Sequence, residues 1–392
     1  MSEKLALAFL SHMASPVSPT GAEQSLALLA EGMHQRGHRV AVVVPGPWAL
    51  GENLRRAGLH VEIIPSRSCW LAYYEPRPWP VAVLKWARWA WPERSTAKIS
   101  RFLRAWAPDV VHVNCLPHLR GAAAGAGYPL VWHIREILPP GGRRRWLAGR
   151  VARRASRVVA VSDAVGSWLR AEGLGGLVRV IHNGVRTDEA GASRLSARKE
   201  LGLPEQGVLT GLLGQLLPHK GPLVFISAAR RVLKENPEAR FLLAGGGPQA
   251  FLNRIRAAID ETGSPERFHL LSPRPSGREL IAACDVICLA TITPDPLPRV
   301  ILEAMAAARP VAAFRSGGTP EMIEDGRSGL LAEPGDAEAL AAAMSRLIRE
   351  PALRQEMGSA GLLRVRERFT LERHIDSMES EFLEARGHLA RR

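Results

Sequence analysis

Residues 286–331 read VICLATITPDPLPRVILEAMAAARPVAAFRSGGTPEMIEDGRSGLL, in which an apolar run, a proline-rich loop, a helical pattern, a second apolar run and a glycine turn follow one another. The runs at 286–289 and 310–313 are short and continuously apolar, as is typical of strands buried on both faces. Between them, Arg299 to Ala308 follows three prolines and has the composition of a helix. Strands that alternate with helices predict a parallel sheet covered by helices.

The same alternation continues through the whole chain of 392 residues, which is longer than one hydrophobic core usually organises. Strands are predicted at Leu5–Leu10, Arg39–Val44, Val61–Ile64, Val110–Val113, Leu130–His133, Val158–Val161, Arg179–Ile181, Val208–Gly214, Arg240–Ala244, Phe268–Leu271, Val286–Leu289, Pro310–Ala313 and Gly329–Leu331. This pattern predicts an α/β protein with two Rossmann-like, doubly wound domains that face each other across a cleft.

The predicted domain limits follow from the composition between these strands. We expect an N-terminal domain at 1–190, a C-terminal domain at 191–370, and a helical segment at 371–392 that packs back on the N-terminal domain. The polar stretch Arg186–Pro204 is the predicted connection.

The positive charge of the chain is concentrated in its first half. The net charge is +14, and residues 1–190 contain 25 Lys and Arg against 13 Asp and Glu. All ten tryptophans also lie there. A basic, tryptophan-rich half indicates either an anionic membrane surface or nucleic acid as a partner.

One segment combines both features. Its expected membrane-surface residues are Arg143, Arg144, Arg145, Trp146, Arg150, Arg153 and Arg154. Their spacing predicts a basic amphipathic helix that docks on anionic lipid, although a solvated helix face and a nucleic-acid surface are alternatives. The segment Trp70 to Trp91 either supplies the apolar part of that surface or lines an acceptor pocket.

We expect the protein to lie in the cytoplasm, attached peripherally to the inner face of the membrane. The N-terminal apolar run Leu5–Leu10 is too short to span a bilayer and has no cleavage pattern of a signal peptide. The cysteines, which we expect to be buried and reduced, show no metal-ligand spacing. They are Cys69, Cys115, Cys284 and Cys288.

A lysine occupies the loop between the strand Val208–Gly214 and the next predicted helix. The loop reads GQLLPHKG from Gly214 to Gly221 and ends in Lys220 and a glycine. A cation beside the exposed amides at the start of a helix is well placed to bind phosphate. The alternative is a solvated loop lysine.

Two acidic residues follow the strand Val286–Leu289. Asp295 lies among Pro294, Pro296 and Pro298, and Glu303 lies in the second turn of the predicted helix. Carboxylates accept hydrogen bonds from hydroxyl groups, so the pair suits a sugar and a ribose. Alternatively, Asp295 is a turn former and Glu303 a helix-surface residue.

Two glycine clusters, at 245–247 and 317–318, follow other predicted strands. Glycine lets the backbone approach a phosphate or a sugar closely. Each cluster alone is common in α/β proteins.

Taken in order, these motifs resemble glycosyltransferase family 4. The resemblance rests on GxLxPxKG, GGGP and DPLPRVILEAMAAARPVAAFRSGGTPEMIEDGRSGLL, together with PDVVHV at 108–113, VSDAV at 161–165 and IHNGV at 181–185. It covers nearly the whole chain. It implies the GT-B fold, a nucleotide-diphospho-sugar substrate, retention of anomeric configuration, and no cofactor or metal; the chain has no Asp-x-Asp sequence.

The resemblance also implies roles for individual residues. Lys220 resembles the lysine that binds the donor diphosphate, Glu303 the glutamate that binds the ribose, and Asp295 the first acid of the pair that contacts the donor sugar. His133 resembles the histidine near the transferred sugar, although a satisfied histidine at a strand end is the alternative. These four residues are the expected catalytic set. The expected donor-binding set is Gly21, Ala22, Gln215, Lys220, Gly246, Gly247, Arg274, Asp295, Leu297, Pro298, Glu303, Gly317 and Gly318.

Three positions depart from the family pattern. Gln215 stands where many members have a second phosphate-binding arginine, Ala22 replaces a frequent glycine, and Asp295 is one methylene shorter than the usual glutamate. The first weakens the expected phosphate clamp, and the last leaves the donor sugar in doubt.

The expected function is transfer of a hexose from a UDP- or GDP-linked donor to an acceptor that is lipid-linked or part of the cell envelope. The sequence leaves open a nucleotide-sugar 2-epimerase of the same fold, a glycosidase that uses Asp295 and Glu303 as acid and base, and a basic membrane- or nucleic-acid-binding protein without transfer activity. Nucleic acid is not an expected partner.

Overall fold

The computed structural model describes residues 3–11, 20–66, 94–187, 193–274 and 277–389. The chain forms two compact units, one of Met1–Gly184 with Leu371–Arg392 and the other of Val185–Thr370. We call them unit 1 and unit 2. The expected boundary between residues 190 and 191 falls outside the described residues.

Unit 1 contains a parallel sheet of seven strands in the order β3-β2-β1-β4-β5-β6-β7. The strands are β1 (Ala6–Leu10), β2 (Arg39–Val44), β3 (His60–Ile63), β4 (Val110–Asn114), β5 (Leu130–Ile134), β6 (Arg157–Ala160) and β7 (Val178–Val180). The described α-helices are α1 (Gly21–Gln35), α2 (Ala49–Arg56), α3 (Ser95–Trp106), α4 (Leu119–Ala124), α5 (Gly142–Ala152) and α6 (Asp163–Leu169), with the C-terminal α15 (Leu371–Leu389).

The C-terminal helix α15 completes the core of unit 1. Its Ile375 and Phe382 belong to the same buried cluster as Phe9 of β1 and Leu29 of α1. A Cβ atom on Gly32 would lie 2.2 Å from Cδ1 of Ile375, so a larger residue at 32 would require this side chain to move. The last helix of the chain is therefore part of the first unit.

Unit 2 contains a second parallel sheet, of six strands in the order β10-β9-β8-β11-β12-β13. The strands are β8 (Leu209–Leu213), β9 (Arg240–Ala244), β10 (Phe268–Leu271), β11 (Val286–Leu289), β12 (Val311–Phe314) and β13 (Leu330–Ala332). Its described α-helices are α7 (Arg194–Glu200), α8 (Pro222–Glu235), α9 (Gln249–Asp260), α10 (Arg278–Ala283), α11 (Arg299–Ala306), α12 (Thr319–Met322), α13 (Ala337–Arg349) and α14 (Pro351–Arg368).

The predicted α/β class with two parallel-sheet units is confirmed, and each predicted strand is present with both ends within one residue of the prediction. The predicted connection, Arg186–Pro204, contains the helix α7 in its second part. Arg198 of α7 is fully buried and donates to Oδ2 of Asp285 at 2.6 Å and to the carbonyl oxygen of Ala283 at 2.8 Å. These partners compensate the burial of its charge. The polar composition of the segment does not reveal such a buried, paired arginine.

The expectation of buried, reduced cysteines is confirmed for the three described ones, Cys115, Cys284 and Cys288. Burial raises the pKa of Cys284 to about 12, so this thiol stays protonated at neutral pH. Cys69 lies outside the described residues.

Candidate functional site

Four loops of unit 2 meet at the carboxyl edge of its sheet. They follow β8, β9, β11 and β12 and occupy residues 214–217, 245–248, 290–298 and 315–318. Since all paired strands of this sheet are parallel, these loops emerge on one edge, where open α/β sheets bind their ligands. All the residues of unit 2 that the sequence predicts for donor binding lie in or next to this edge, including Arg274, which follows β10, a strand parallel to β9.

Lys220 and Asp295 form an ion pair at this edge. Lys220 ends a single 3₁₀ turn, Pro218–Lys220, and its Nζ lies 2.5 Å from Oδ2 of Asp295. The side chains of Lys220 and Asp295 are 28% and 13% exposed. Two predicted site residues, 75 positions apart in sequence, are thus in direct contact at a surface that solvent and a ligand can reach.

The backbone holds the Lys220 turn against the Asp295 loop. Ile292 donates its amide to the carbonyl oxygen of His219 at 2.9 Å. Gly221 has a φ of +72°, and a Cβ atom there would lie 1.9 Å from the carbonyl oxygen of Ala290. Any larger residue at 221 would push the two loops apart, so glycine is required by both conformation and space.

The glycine turn after β12 holds the other end of the Asp295 loop. Gly318 donates its amide to the carbonyl oxygen of Asp295 at 2.9 Å. Gly317 has a φ of +57°, and a Cβ atom on it would lie 2.0 Å from the same carbonyl oxygen. The amide of Gly318 therefore fixes the Asp295 loop, a role that the sequence analysis did not foresee.

A similar contact joins the loops after β8 and β9. A Cβ atom on Gly245 would lie 1.7 Å from the carbonyl oxygen of Gly214, and one on Gly247 would lie 2.2 Å from that of Leu216. Leu216 also donates its amide to the carbonyl oxygen of Gly246 at 2.8 Å. The glycines at 245–247 thus allow two loops to touch, while the side chain of Gln215 is exposed.

Glu303 lies in the second turn of α11, as predicted, and is oriented by Arg299. Nε and Nη2 of Arg299 lie 3.1 and 2.9 Å from Oε1 of Glu303, whose side chain is 29% exposed. Leu297 and Pro298 are buried. Leu297 packs next to Gly318, so any contact of Leu297 or Pro298 with a ligand would come from the backbone. Arg274 is exposed.

In unit 1, the predicted phosphate-facing residues Gly21 and Ala22 form the first turn of α1. The amide of Thr20 donates to Oε2 of Glu23 at 2.7 Å, which closes the start of the helix. Asn114, the last residue of β4, donates to the carbonyl oxygen of Ala22 at 3.5 Å. The start of α1 is therefore linked to the carboxyl end of β4.

His133 lies inside β5, which ends one residue later, and its side chain is fully buried. Its Nδ1 is 3.4 Å from Nε2 of His112 and 3.3 Å from Nη2 of Arg135. Burial, and then the positive charge of Arg135, hold the pKa of His133 well below its usual value. His133 is thus a neutral ring inside a polar cluster, so any effect on a ligand would pass through a neighbour.

The neighbour that reaches the carboxyl edge is Arg135, which the sequence analysis did not single out. Arg135 follows β5 directly and is 9% exposed. Its Nε donates to Oδ1 of Asn114 at 2.9 Å, and its Nη1 donates to Oδ1 of Asn183 at 2.7 Å. Two features of the sequence could have indicated Arg135 as a site residue. They are its position directly after a predicted strand and the asparagine of the motif IHNGV. Three strand ends, those of β4, β5 and β7, thus hold one guanidinium.

Glu136 and Cys115 lie beside this cluster. Burial raises the pKa of Glu136 to about 7, although the amides of Leu116 and Arg135 donate to its Oε2, each at 3.0 Å. Cys115 has a φ of +71°, which is unusual for a residue other than glycine and is often found at functional sites. The carboxyl edge of unit 1 therefore carries both a fixed cation and an acid that titrates near neutral pH.

The predicted basic helix is present as α5, with Leu147, Ala148 and Val151 buried, but it ends at Ala152, so Arg153 and Arg154 lie in the turn that follows. Trp146 is 37% exposed, and the guanidinium of Arg150 lies 4.8 Å from its ring centre. Arg144 instead donates to Oε1 of Glu172 at 2.6 Å and is mostly buried. The pKa of Arg154 is lowered by burial and then by the charges of Arg150 and Arg153. The basic surface therefore excludes Arg144.

No helix within the described part of the chain is both long and apolar enough to cross a membrane. The segment Trp70 to Trp91, predicted to extend the basic surface or to line an acceptor pocket, lies outside the described residues.

Curated relatives match parts of the chain. D-inositol 3-phosphate glycosyltransferase of Corynebacterium glutamicum (strain R) is 33% identical over 169 residues, which are 41% of this chain and 40% of that protein. The protein of the same name from Acidothermus cellulolyticus is 32% identical over 267 residues, 61% of this chain and 58% of its own length. The matches thus span between about two fifths and three fifths of these relatives.

Solved structures match almost the whole chain. Anabaena Alr3699/HepE, crystallised in complex with UDP-glucose, has a TM-score of 0.82 and 24% identity, with 97% of this chain and 100% of that chain covered. Sucrose-phosphate synthase from Thermosynechococcus elongatus has a TM-score of 0.77 and 18% identity, with 96% and 98% covered. At these identities the likeness shows the fold, which is GT-B.

Sequence models of two families account for most of both units. The model described as Glycosyltransferase Family 4 matches residues 19–189, and the model described as Glycosyl transferases group 1 matches residues 193–364. The matches fall on the two parallel-sheet units described above, in the order of the chain. The chain belongs to glycosyltransferase family 4 and has the GT-B fold.

Proposed function

We propose that this protein transfers a hexose from a UDP-linked donor to an acceptor that carries an anionic group, with retention of anomeric configuration. The observation that carries the proposal is the carboxyl edge of unit 2. There Lys220 and Asp295 lie on loops that pack closely at glycines, and Glu303 lies in the helix that follows the Asp295 loop. The complexes of HepE with UDP-glucose, and with UDP and glucose, support uridine as the donor base.

In this proposal Lys220 binds the diphosphate. A retaining transfer passes through an oxocarbenium-like state while negative charge grows on the departing phosphate, and a fixed cation stabilises that charge most where it develops. No metal ion is part of the proposal. Turnover in the presence of a chelator tests this point, and a loss of activity that added Mg²⁺ or Mn²⁺ restores would contradict it.

Glu303 binds the ribose. Both contacts from Arg299 go to its Oε1, so they orient the carboxylate and leave Oε2 as the oxygen that we expect to accept from a ribose hydroxyl group. In a retaining transfer of this kind, the departing phosphate takes the proton of the acceptor on the same face, so the proposal assigns no side chain as base.

Arg135 binds the acceptor. A guanidinium held in a fixed orientation is suited to bidentate recognition of phosphate or carboxylate. Here two asparagine oxygens and a histidine nitrogen hold it at the strand ends of unit 1. The names of the curated relatives, which specify an inositol phosphate acceptor, support a phosphate group on the acceptor.

Product analysis tests the proposed reaction. The purified protein is incubated with UDP-hexoses and, separately, GDP-hexoses, each with and without phosphorylated polyol acceptors. Transfer predicts a new glycoside and UDP, formed together and only with acceptor. Free hexose from a glycoside substrate would indicate a glycosidase, and a changed sugar without acceptor would indicate a 2-epimerase. Transfer from GDP-hexoses alone would overturn the choice of uridine.

A second proposal concerns attachment to membranes. We propose that Arg143, Arg145, Trp146, Arg150, Arg153 and Arg154 dock on anionic lipid. An exposed indole beside clustered guanidinium groups combines the two interactions that interfacial helices use. Each guanidinium near such a surface contributes about 1 kcal/mol, so binding must weaken with salt.

Co-sedimentation with liposomes tests this attachment. We expect binding to vesicles that contain anionic lipid, little binding to neutral ones, and a loss of binding in Trp146→Ala combined with Arg153→Gln. Arg101→Gln, an exposed arginine on α3, is the control for the loss of charge. Equal binding to neutral vesicles would contradict the proposal, and tight binding to duplex DNA at physiological salt would favour the nucleic-acid alternative.

A further inference from the structure

The Lys220–Asp295 pair raises a question that the proposed function leaves open. The resemblance implies that Lys220 binds the donor diphosphate and that the acid at 295 contacts the donor sugar, which are separate tasks. In the structure the two side chains are partners, with Nζ and Oδ2 2.5 Å apart. A diphosphate that binds Lys220 must therefore share this cation with a resident carboxylate.

The pair is a built feature rather than a chance surface contact. The turn that carries Lys220 is tied to the Asp295 loop by the bond from Ile292 to His219 and by the close approach of Gly221 to Ala290. Gly318 holds the backbone of Asp295 itself. Both residues thus have fixed backbones, so their side chains meet with little loss of freedom.

The composition of the loop at 214–217 makes the charge of Lys220, and its pairing with Asp295, more important for a bound diphosphate. Gln215 of the loop at 214–217 is neutral, and this loop contains no Lys or Arg. Lys220 therefore carries a larger share of the positive charge available to a diphosphate, and Asp295 neutralises part of it. A carboxylate this close to Lys220 also lies close to any phosphate bound there, and like charges repel.

We infer that Asp295 is the resident counter-ion of Lys220, and that it weakens binding of the nucleoside diphosphate product and so speeds its release. This inference rests on the proposed function, because it assumes that Lys220 binds the diphosphate. It makes Asp295 a positioning residue that acts through Lys220.

Titration with UDP separates this role from a sugar contact, because UDP has no hexose. Asp295→Asn keeps the shape of the side chain and removes its charge. If Asp295 is a counter-ion, the variant binds UDP about tenfold more tightly, as expected for removal of one repulsive charge at this range, and the difference shrinks as salt is raised. The inhibition constant of UDP in turnover falls by the same factor.

Asp260→Asn is the matched control, since Asp260 is an exposed acid at the end of α9 in the same unit. It should bind UDP as the wild type does. Thermal unfolding without nucleotide checks that Asp295→Asn is folded, and Asp295→Glu, which keeps the charge, should restore wild-type affinity for UDP.

Unchanged or weaker UDP binding by Asp295→Asn would overturn the inference. If the same variant also bound UDP-hexose more weakly, Asp295 would be a contact of the donor sugar instead. The proposed function fails separately, if Lys220→Ala binds UDP as tightly as the wild type.

Discussion

Nη2 of Arg135 donates to Nδ1 of His133 across 3.3 Å. An arginine carries only donors, so Nδ1 must accept, and the single proton of this neutral ring is on Nε2. His133 therefore helps to orient Arg135. With Asn114 and Asn183, it fixes the direction of the guanidinium at the carboxyl edge of unit 1.

Arg135→Gln should weaken acceptor binding and leave donor binding unchanged. Replacing a charged donor of two parallel hydrogen bonds with a neutral amide costs about 2 kcal/mol, which corresponds to a rise in the acceptor KM of about thirtyfold. Steady-state kinetics with a phosphorylated polyol, together with UDP titration, measures both effects.

Arg101→Gln provides the comparison for this prediction, because it removes the same charge from an exposed position of unit 1. The role of Arg135 would be contradicted if its variant kept the wild-type acceptor KM, or if the loss were no larger with a phosphorylated acceptor than with its unphosphorylated counterpart.

Glu136→Gln should stabilise the protein at alkaline pH. The pKa of Glu136 rises from 4.5 to about 7 on folding, so the folded state binds more protons than the unfolded state between these values. The free energy of unfolding therefore falls as the pH rises through this window. Glutamine keeps an acceptor for the two amides and avoids the buried charge.

Denaturant unfolding at pH 4.5 and pH 8 measures the effect. We expect the two proteins to be about equally stable at the lower pH and the variant to be more stable by about 3 kcal/mol at the higher pH. The same difference at both pH values would show that the carboxyl group does not titrate as described.

The pH dependence of stability that His118 causes has the opposite sign to that of Glu136. Burial lowers its pKa from 6.5 to about 4, so the unfolded state binds the extra proton between these values. The stability that neutral His118 contributes is complete above pH 6.5 and is lost as the pH falls towards 4, by about 1.4 kcal/mol per pH unit. His118→Gln should flatten the pH dependence of unfolding in this window, and an unchanged slope would contradict the assignment.

Gly317→Ala should reduce donor binding by displacing the Asp295 loop. Gly326 provides a matched control, because both glycines have left-handed backbones, with φ values of +57° and +78°. A Cβ atom would meet the carbonyl oxygen of Asp295 at 2.0 Å in the first case, but nothing within 4 Å in the second. Both variants lose about 1 kcal/mol of stability from backbone strain.

Only Gly317→Ala should also weaken the binding of UDP-hexose, because only its new methyl group presses on the Asp295 loop, to which the turn that carries Lys220 is tied. Thermal unfolding gives the stability of each variant, and titration gives its affinity. Equal affinity in the two variants would mean that the turn after β12 does not position the Asp295 loop.

The fold was predictable because its signals are local. Strands such as β4, β9 and β11 are short apolar runs between helical patterns, and the observed ends of each lie within one residue of the predicted ends. The helix α7 was missed because its buried side chain, Arg198, is polar, and its partners lie far away in sequence, at Ala283 and Asp285.

The site residues that lie within a sequence motif were predictable, and those that depend on a hydrogen-bond network between distant residues were not. Lys220, Asp295 and Glu303 lie inside quoted motifs, and the structure places them at one edge of unit 2. Arg135 was not predictable in this way, because its partners Asn114 and Asn183 contact it only in the folded sheet, at the ends of β4 and β7. The burial of His133 likewise depends on strand position rather than on its own neighbours in sequence.

The central claim is that Lys220 and Glu303 hold a nucleotide-diphospho-sugar, and calorimetric titration of UDP-hexose tests it most directly. The wild type is compared with Lys220→Ala and Glu303→Ala, and with Lys234→Ala and Glu356→Ala, which change exposed residues of α8 and α14. We predict a loss of affinity of at least about tenfold in each of the first two variants and none in the controls. Wild-type affinity in both Lys220→Ala and Glu303→Ala would contradict the account.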